Sequence, residues 1–200
     1  MKPISRQEIF GKAKVGTVAG LVGGFALFVS LFGIDSKLNV APGTFYQMLG
    51  IAVGLDGMPA IVFGFMAHML TAATIGAVFC VCSTLHRVLN LTSIWKGIFA
   101  GGVTGLEVYV IFFMPITLFL MIPTIDSTII DGSQSVVTAQ ERMAATVLKE
   151  NINLIMWGAL LLHILYGTIM GLFSGMVLHE DYQIPKKTSS EHESESMPST

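Results

Sequence analysis

The chain has 200 residues, 52% of them hydrophobic and 12% charged, with a mean hydropathy of +0.71 and a formal net charge of −2. Soluble domains carry about a quarter charged residues, so this composition excludes an ordinary water-soluble fold. Lys and Arg lie scattered near segment ends, which leaves no basic field for nucleic acid.

The segment 1–14 is basic, with Lys2, Arg6, Lys12 and Lys14, and an uncharged apolar run follows from Val15 to Gly33. The arrangement resembles a signal peptide. However, the run is longer than a usual signal core, no small-x-small cleavage site ends it, and three similar runs follow. It therefore reads as a first transmembrane helix. A helix rises about 1.5 Å per residue and the hydrocarbon core is roughly 30 Å thick, so about 20 apolar residues cross it. Pro59 to Leu85, Gly97 to Ile122 and Ile152 to Leu178 also qualify. All must be helical, because lipid offers backbone groups no hydrogen-bond partner. Pro115 is expected to kink the third span.

Between the first two spans, Gly43 to Gly54 is apolar but too short to cross, and Phe45, Met48, Leu49, Ala52 and Val53 recur at helical spacing. An interfacial or re-entrant helix is expected there. Cys80 and Cys82, the only cysteines, lie two apart on the second span and point in different directions, so they do not pair. They read as small packing residues, and the twelve methionines as packing against helices and lipid. Between the third and fourth spans, Thr138-Ala139-Gln140-Glu141 is a capping-box pattern that opens a short surface helix reaching about Asn151. The Ser- and Glu-rich tail, 179–200, has too little apolar surface to offset the entropy of ordering and is expected to be disordered.

Lys2, Arg6, Lys12, Lys14, Arg87, Lys96, Lys186 and Lys187 fall on one side of the spans, against Lys37, Arg142 and Lys149 on the other. The positive-inside rule then puts both termini in the cytoplasm. Asp35, Asp56, Asp126, Asp131, Glu141 and Glu150 fall in the external loops. Asn90-Leu91-Thr92 matches a glycosylation sequon but falls in a cytoplasmic loop on this topology.

An internal repeat emerges from alignment. Setting Gly16 on Gly97 matches Ala19 to Ala100, Gly20 to Gly101 and Gly24 to Gly105, while His68 falls on His163 and Gly76 on Gly171. Two matches in the same order point to duplication of a two-span unit, with repeats 15–95 and 96–178. Each copy enters from the same side, as in a parallel repeat. The expected fold class is all-α: a polytopic membrane four-helix bundle of two tandem parallel two-helix repeats, plus the short interfacial helix in the first external loop.

The glycines Gly16, Gly20 and Gly24, then Gly97, Gly101 and Gly105, then Gly167, Gly171 and Gly175 fall four apart. Such rows let helix backbones approach closely in lipid. Gly64, His68, Ala72 and Gly76, and Ala159, His163, Gly167 and Gly171, place each histidine on a packing row, so both should face neighbouring helices. His68, His163 and Glu107 lie about 14 to 17 Å from a helix end, near the bilayer centre. Glu107 is the only carboxylate inside a span; it lies about 200° around the helix from Gly105 and faces away from the row. The first repeat has Ala26 in its place.

The histidines admit three readings. Neutral rings bond a carbonyl or hydroxyl on the facing helix and fix register; His68, His163 and Glu107 form a proton or cation relay; or the histidines ligate a haem or metal, for which no local motif speaks. No G-x-x-x-x-G-K-[ST], G-x-S-x-G or H-E-x-x-H is present, so no nucleotide-based or hydrolytic enzyme, no metal and no cofactor is expected. The leading expectation is a non-enzymatic accessory or structural subunit of a membrane complex, partnered by lipid and by other subunits or a second copy. The alternatives are a small transporter or proton-coupled permease and, further off, a membrane redox protein.

Met48-Leu49-Gly50, His68 with Gly76, and His163 with Gly167 and Gly171 carry a resemblance to a domain-of-unknown-function family of small archaeal and bacterial four-helix membrane proteins of the YagU-like kind. The resemblance covers residues 15–178 and implies the architecture, with no activity attached. Glu107 and the stretch from Pro123 to Glu150 lie outside its pattern.

Overall fold

A computed structural model describes residues 5–85, 89–130 and 138–183, with side chains to residue 180. Lys2, Arg87, Asp131, Lys186, Lys187 and the tail from 184 onward lie outside the described residues. Among those described, the regular structure is all helix, with no strand: α1 Arg6–Lys37, α2 Thr44–Ile51, α3 Gly57–Cys82, α4 Ile94–Ile130, α5 Ala139–Glu150 and α6 Ile152–Gln183.

α1, α3, α4 and α6 are long and apolar enough to cross a membrane. Their outer faces carry large apolar side chains, with Leu70 at 70%, Phe99 at 75% and Leu161 at 67% exposure. Water would not tolerate so continuous an apolar surface, and lipid requires it. The chain is a multi-pass membrane protein.

The helices extend beyond the expected apolar runs. α1 starts before Val15 because Ser5 caps it, accepting from the Glu8 amide at 3.2 Å, and Glu8 suits the positive end of the helix dipole. It also continues past Gly33 to Lys37, so Asp35 lies in its last turn instead of in a loop. There Asp35 is buried and its Oδ2 accepts from the Gly43 amide at 2.8 Å. α3 stops at Cys82, short of Leu85, where the Ser83 and Thr84 hydroxyls donate to the carbonyls of Cys80 and Val81. α6 runs five residues past Leu178.

α4 is continuous over 37 residues, or about 55 Å, well beyond a roughly 30 Å hydrocarbon core. Pro115 sits between wide π-type turns at Tyr109–Phe113 and Thr117–Met121. A proline lacks the amide donor and its ring crowds the carbonyl four residues back. Widening the turns accommodates that loss without ending the helix.

α2 occupies the short apolar stretch after α1, and its Tyr46 and Met48 are buried against the bundle. α5 carries the expected capping box: Thr138 accepts from the Glu141 amide and Glu141 accepts from the Thr138 amide. It too packs inward, burying Ala145 and Leu148. Gln47 Nε2 donates to Glu141 Oε1 at 2.6 Å, joining α2 to α5. Lys149 pairs with Asp126 at 2.7 Å, joining α5 to α4.

Two helix pairs make up the bundle. α1 meets α3 with Gly16 against Gly76, Gly20 against Ala72 and Gly24 near His68. α4 meets α6 with Gly97 against Gly171, Gly101 against Gly167 and Gly105 against His163; Gly175 packs against Ile94. Most of these contacts bring backbone onto backbone, as small-residue rows allow. The pairs join through α1 and α6. A Cβ on Gly23 would lie 2.9 Å from the Tyr166 ring, which is buried there with Ala19, Leu27, Ala72 and Met170. Tyr166 Oη donates to the Ala72 carbonyl at 2.9 Å, and Cys80 Sγ donates to Ser174 Oγ at 3.2 Å, so α6 also holds α3. Cys80 and Cys82 are both free thiols.

Neighbouring glycines on α4 make this packing testable. A Cβ on Gly101 would strike the Gly167 carbonyl and sit 2.8 Å from the Gly171 Cα, whereas one on Gly102 meets only the Thr168 hydroxyl at 3.4 Å. Gly101→Ala should lose about 1–3 kcal/mol to overpacking. Gly102→Ala should change stability by less than about 1 kcal/mol, in either direction. Thermal unfolding in detergent would reveal the contrast; equal midpoints would refute it.

Candidate functional site: a cavity between the helix pairs

Because the pairs join through α1 and α6, α3 and α4 do not pack along each other. The space left is a cavity of about 550 Å³. α1 and α6 form its back, α3 and α4 its sides, and α2 with Leu148 of α5 cover the end that carries the short helices. Phe63 of α3 and Phe112 and Ile116 of α4 line it and stay 40%, 48% and 42% exposed, which marks the gap between α3 and α4 as its mouth. At the opposite end the glycine contacts and the Cys80, Leu91 and Leu178 cluster close the bundle.

Both sequence-predicted histidines line this cavity. Their hydrogen bonds differ. His68 Nε2 lies 3.1 Å from the Gly24 carbonyl on α1, so this ring ties α3 to α1 as the register reading expects. His163 Nδ1 instead lies 2.7 Å from the carbonyl of Ala159, one turn back on its own helix. The expectation that both rings bond the facing helix therefore holds at His68 and needs correction at His163. The reason is the contact at Gly105: the backbone carbonyl of His163 fills it, leaving the ring to turn beside Tyr109 and Phe113, with ring centres 5.8 and 5.0 Å away.

Glu107 is on α4's outer face, exposed, and absent from the cavity wall. The two histidines are brought together and the carboxylate is not, so a relay joining all three has no continuous path here. Among the described residues, no three of His, Cys, Asp or Glu form a metal-sized cluster.

Tyr46 was not foreseen as a site residue. It lines the cavity beside His68, with ring centres 5.6 Å apart, yet only 3% of it is exposed. Its hydroxyl has no hydrogen-bond partner among the described residues. Burial, and then the Asp35 carboxylate, push its phenol well above the usual value, so it stays protonated. A short apolar stretch such as 43–54 reveals a helix but not which of its aromatics faces a void. The remaining wall is mostly apolar, with Phe45 and Phe113 stacked at 6.2 Å.

Such a site can hold an apolar body and offer a few directed hydrogen bonds at mid-depth. In comparisons with known proteins, no family model, curated protein or solved structure matches this chain.

Proposed function

We propose that this multi-pass membrane protein is a non-enzymatic binding protein that takes up a small apolar molecule from the bilayer through the gap between α3 and α4. The observation that carries the reading is the cavity itself: about 550 Å³, apolar-walled, with His68, His163 and Tyr46 in one lining. That size lies within the range of about 300–1,000 Å³ for small-molecule sites. A through-route for transport is less favoured, because the glycine contacts close the bundle beyond the histidines.

The same reading takes the two helix pairs as copies of one unit. The contacts Gly16–Gly76, Gly20–Ala72 and Gly24–His68 and the contacts Gly97–Gly171, Gly101–Gly167 and Gly105–His163 support it, since they correspond in the alignment and in order. A cytoplasmic-membrane location with both termini inside rests on the Lys and Arg distribution.

A second reading, a subunit of a larger membrane complex, is favoured by Glu107. A carboxylate on an outward face near mid-span is costly against lipid and is better accommodated against a partner helix.

Gly158 supplies the test of the cavity. It lines the wall, and a Cβ there meets nothing within 4 Å. Gly158→Leu should take up part of the space and obstruct the cavity while leaving the fold intact, since replacing a helical glycine relieves up to about 1 kcal/mol. Solvent extraction and mass spectrometry of purified protein should find a bound apolar molecule in wild type and at least about tenfold less in the variant, a loss of roughly 1.4 kcal/mol. Equal loading would sink the proposal. For the subunit reading, Glu107→Gln should weaken co-purification of a partner in mild detergent; wild-type protein recovered alone and monodisperse would count against it.

A further inference from the structure

The polar atoms of the cavity define what its occupant must offer. A backbone carbonyl can only accept a hydrogen bond. The His68 nitrogen facing Gly24, Nε2, therefore carries that ring's proton, and so does Nδ1 of His163, facing Ala159. A neutral imidazole has one N–H, and a second proton would place a charge near the bilayer centre. His68 Nδ1 and His163 Nε2 are then bare acceptors, and neither makes a hydrogen bond among the described residues. Tyr46 packs beside His68, but its hydroxyl has no accessible surface and does not open into the cavity.

Two acceptors set in an apolar wall select for a head group that donates. A ketone, ester or ether satisfies neither histidine. A carboxylate meets two lone pairs and no cation at that depth: of the charged groups in the lining, Asp35 is already bonded to Gly43 and Lys37 sits exposed at the end of α1. His68 packs near Gly24, and thirteen residues of helix put Lys37 about 20 Å further along α1. A neutral hydroxyl does fit, because it donates to a histidine and brings no charge to that depth.

Resting on the proposal that the cavity binds an apolar molecule, we infer that its ligand is a neutral hydroxyl-bearing amphiphile, a lipid alcohol, with its head at His68 and His163 and its apolar body along the aromatic wall towards the mouth. Leaving buried hydrogen-bonding groups unmatched is what discriminates against an analogue lacking the hydroxyl.

The test compares tetradecanol, its methyl ether and the tetradecanoate anion by native mass spectrometry of the full chain, stripped of endogenous lipid, in detergent. Wild type should bind the alcohol about tenfold more tightly than the ether, the ratio expected for one net hydrogen bond of about 1.4 kcal/mol, and the anion least. Two variants report on the head group. His68→Phe keeps a ring beside Tyr46, and His163→Phe keeps a ring beside Tyr109 and Phe113. Loss of the preference for alcohol over ether in either variant supports the assignment. Equal binding of alcohol and ether by wild type, a preference that survives in both variants, or tightest binding of the anion overturns it while leaving the apolar cavity standing. Failure of alcohol and ether alike to bind overturns the cavity reading as well.

Discussion

Backbone-to-backbone contact between helices is the constraint on which this molecule depends. In lipid an apolar side chain gains little by turning inward, so helices must be held by short-range packing and hydrogen bonds. Gly16, Gly20, Gly76, Gly97, Gly101, Gly167 and Gly171 supply the packing by leaving no Cβ between the crossing chains. α1 is the helix that uses two such faces. Gly20 and Gly24 take α3, while Ala19 and Gly23 receive Tyr166 of α6.

The cavity follows from that division. Once α1 and α6 form the junction between pairs, α3 and α4 stand apart on the far side, and bulky residues such as Phe63 and Phe112 line the gap without filling it. α2 and α5 close one end, held to each other by Gln47 and Glu141. About 550 Å³ beside two histidines, opening between α3 and α4, is the space the proposed ligand would take.

The histidines show how equivalent positions can diverge. Each lies one turn from the same small-residue crossing, yet His68 bonds across to Gly24 and His163 bonds back to Ala159. His68 thus contributes to helix register, while His163 is held by its own helix and is available to a ligand. Glu107, which breaks the alignment at Ala26, is separate from both and faces outward.

Composition and periodicity alone determined the solvent, the four spans, the short helix near residue 48, the capping box at Thr138 and the glycine rows, because each is a local pattern that lipid or the helix repeat reads directly. The outward direction of Glu107 was legible for the same reason: about 100° per residue places it relative to Gly105. Helix ends were less so, since α1, α4 and α6 run beyond their apolar stretches on caps and neighbouring contacts that hydropathy does not register. Only the tertiary structure decided which glycine faces meet, that α3 and α4 stay apart, that Tyr46 joins the histidines, and which carbonyl each imidazole chooses. Those outcomes depend on groups brought together from distant parts of the chain, and a void has no residue to announce it.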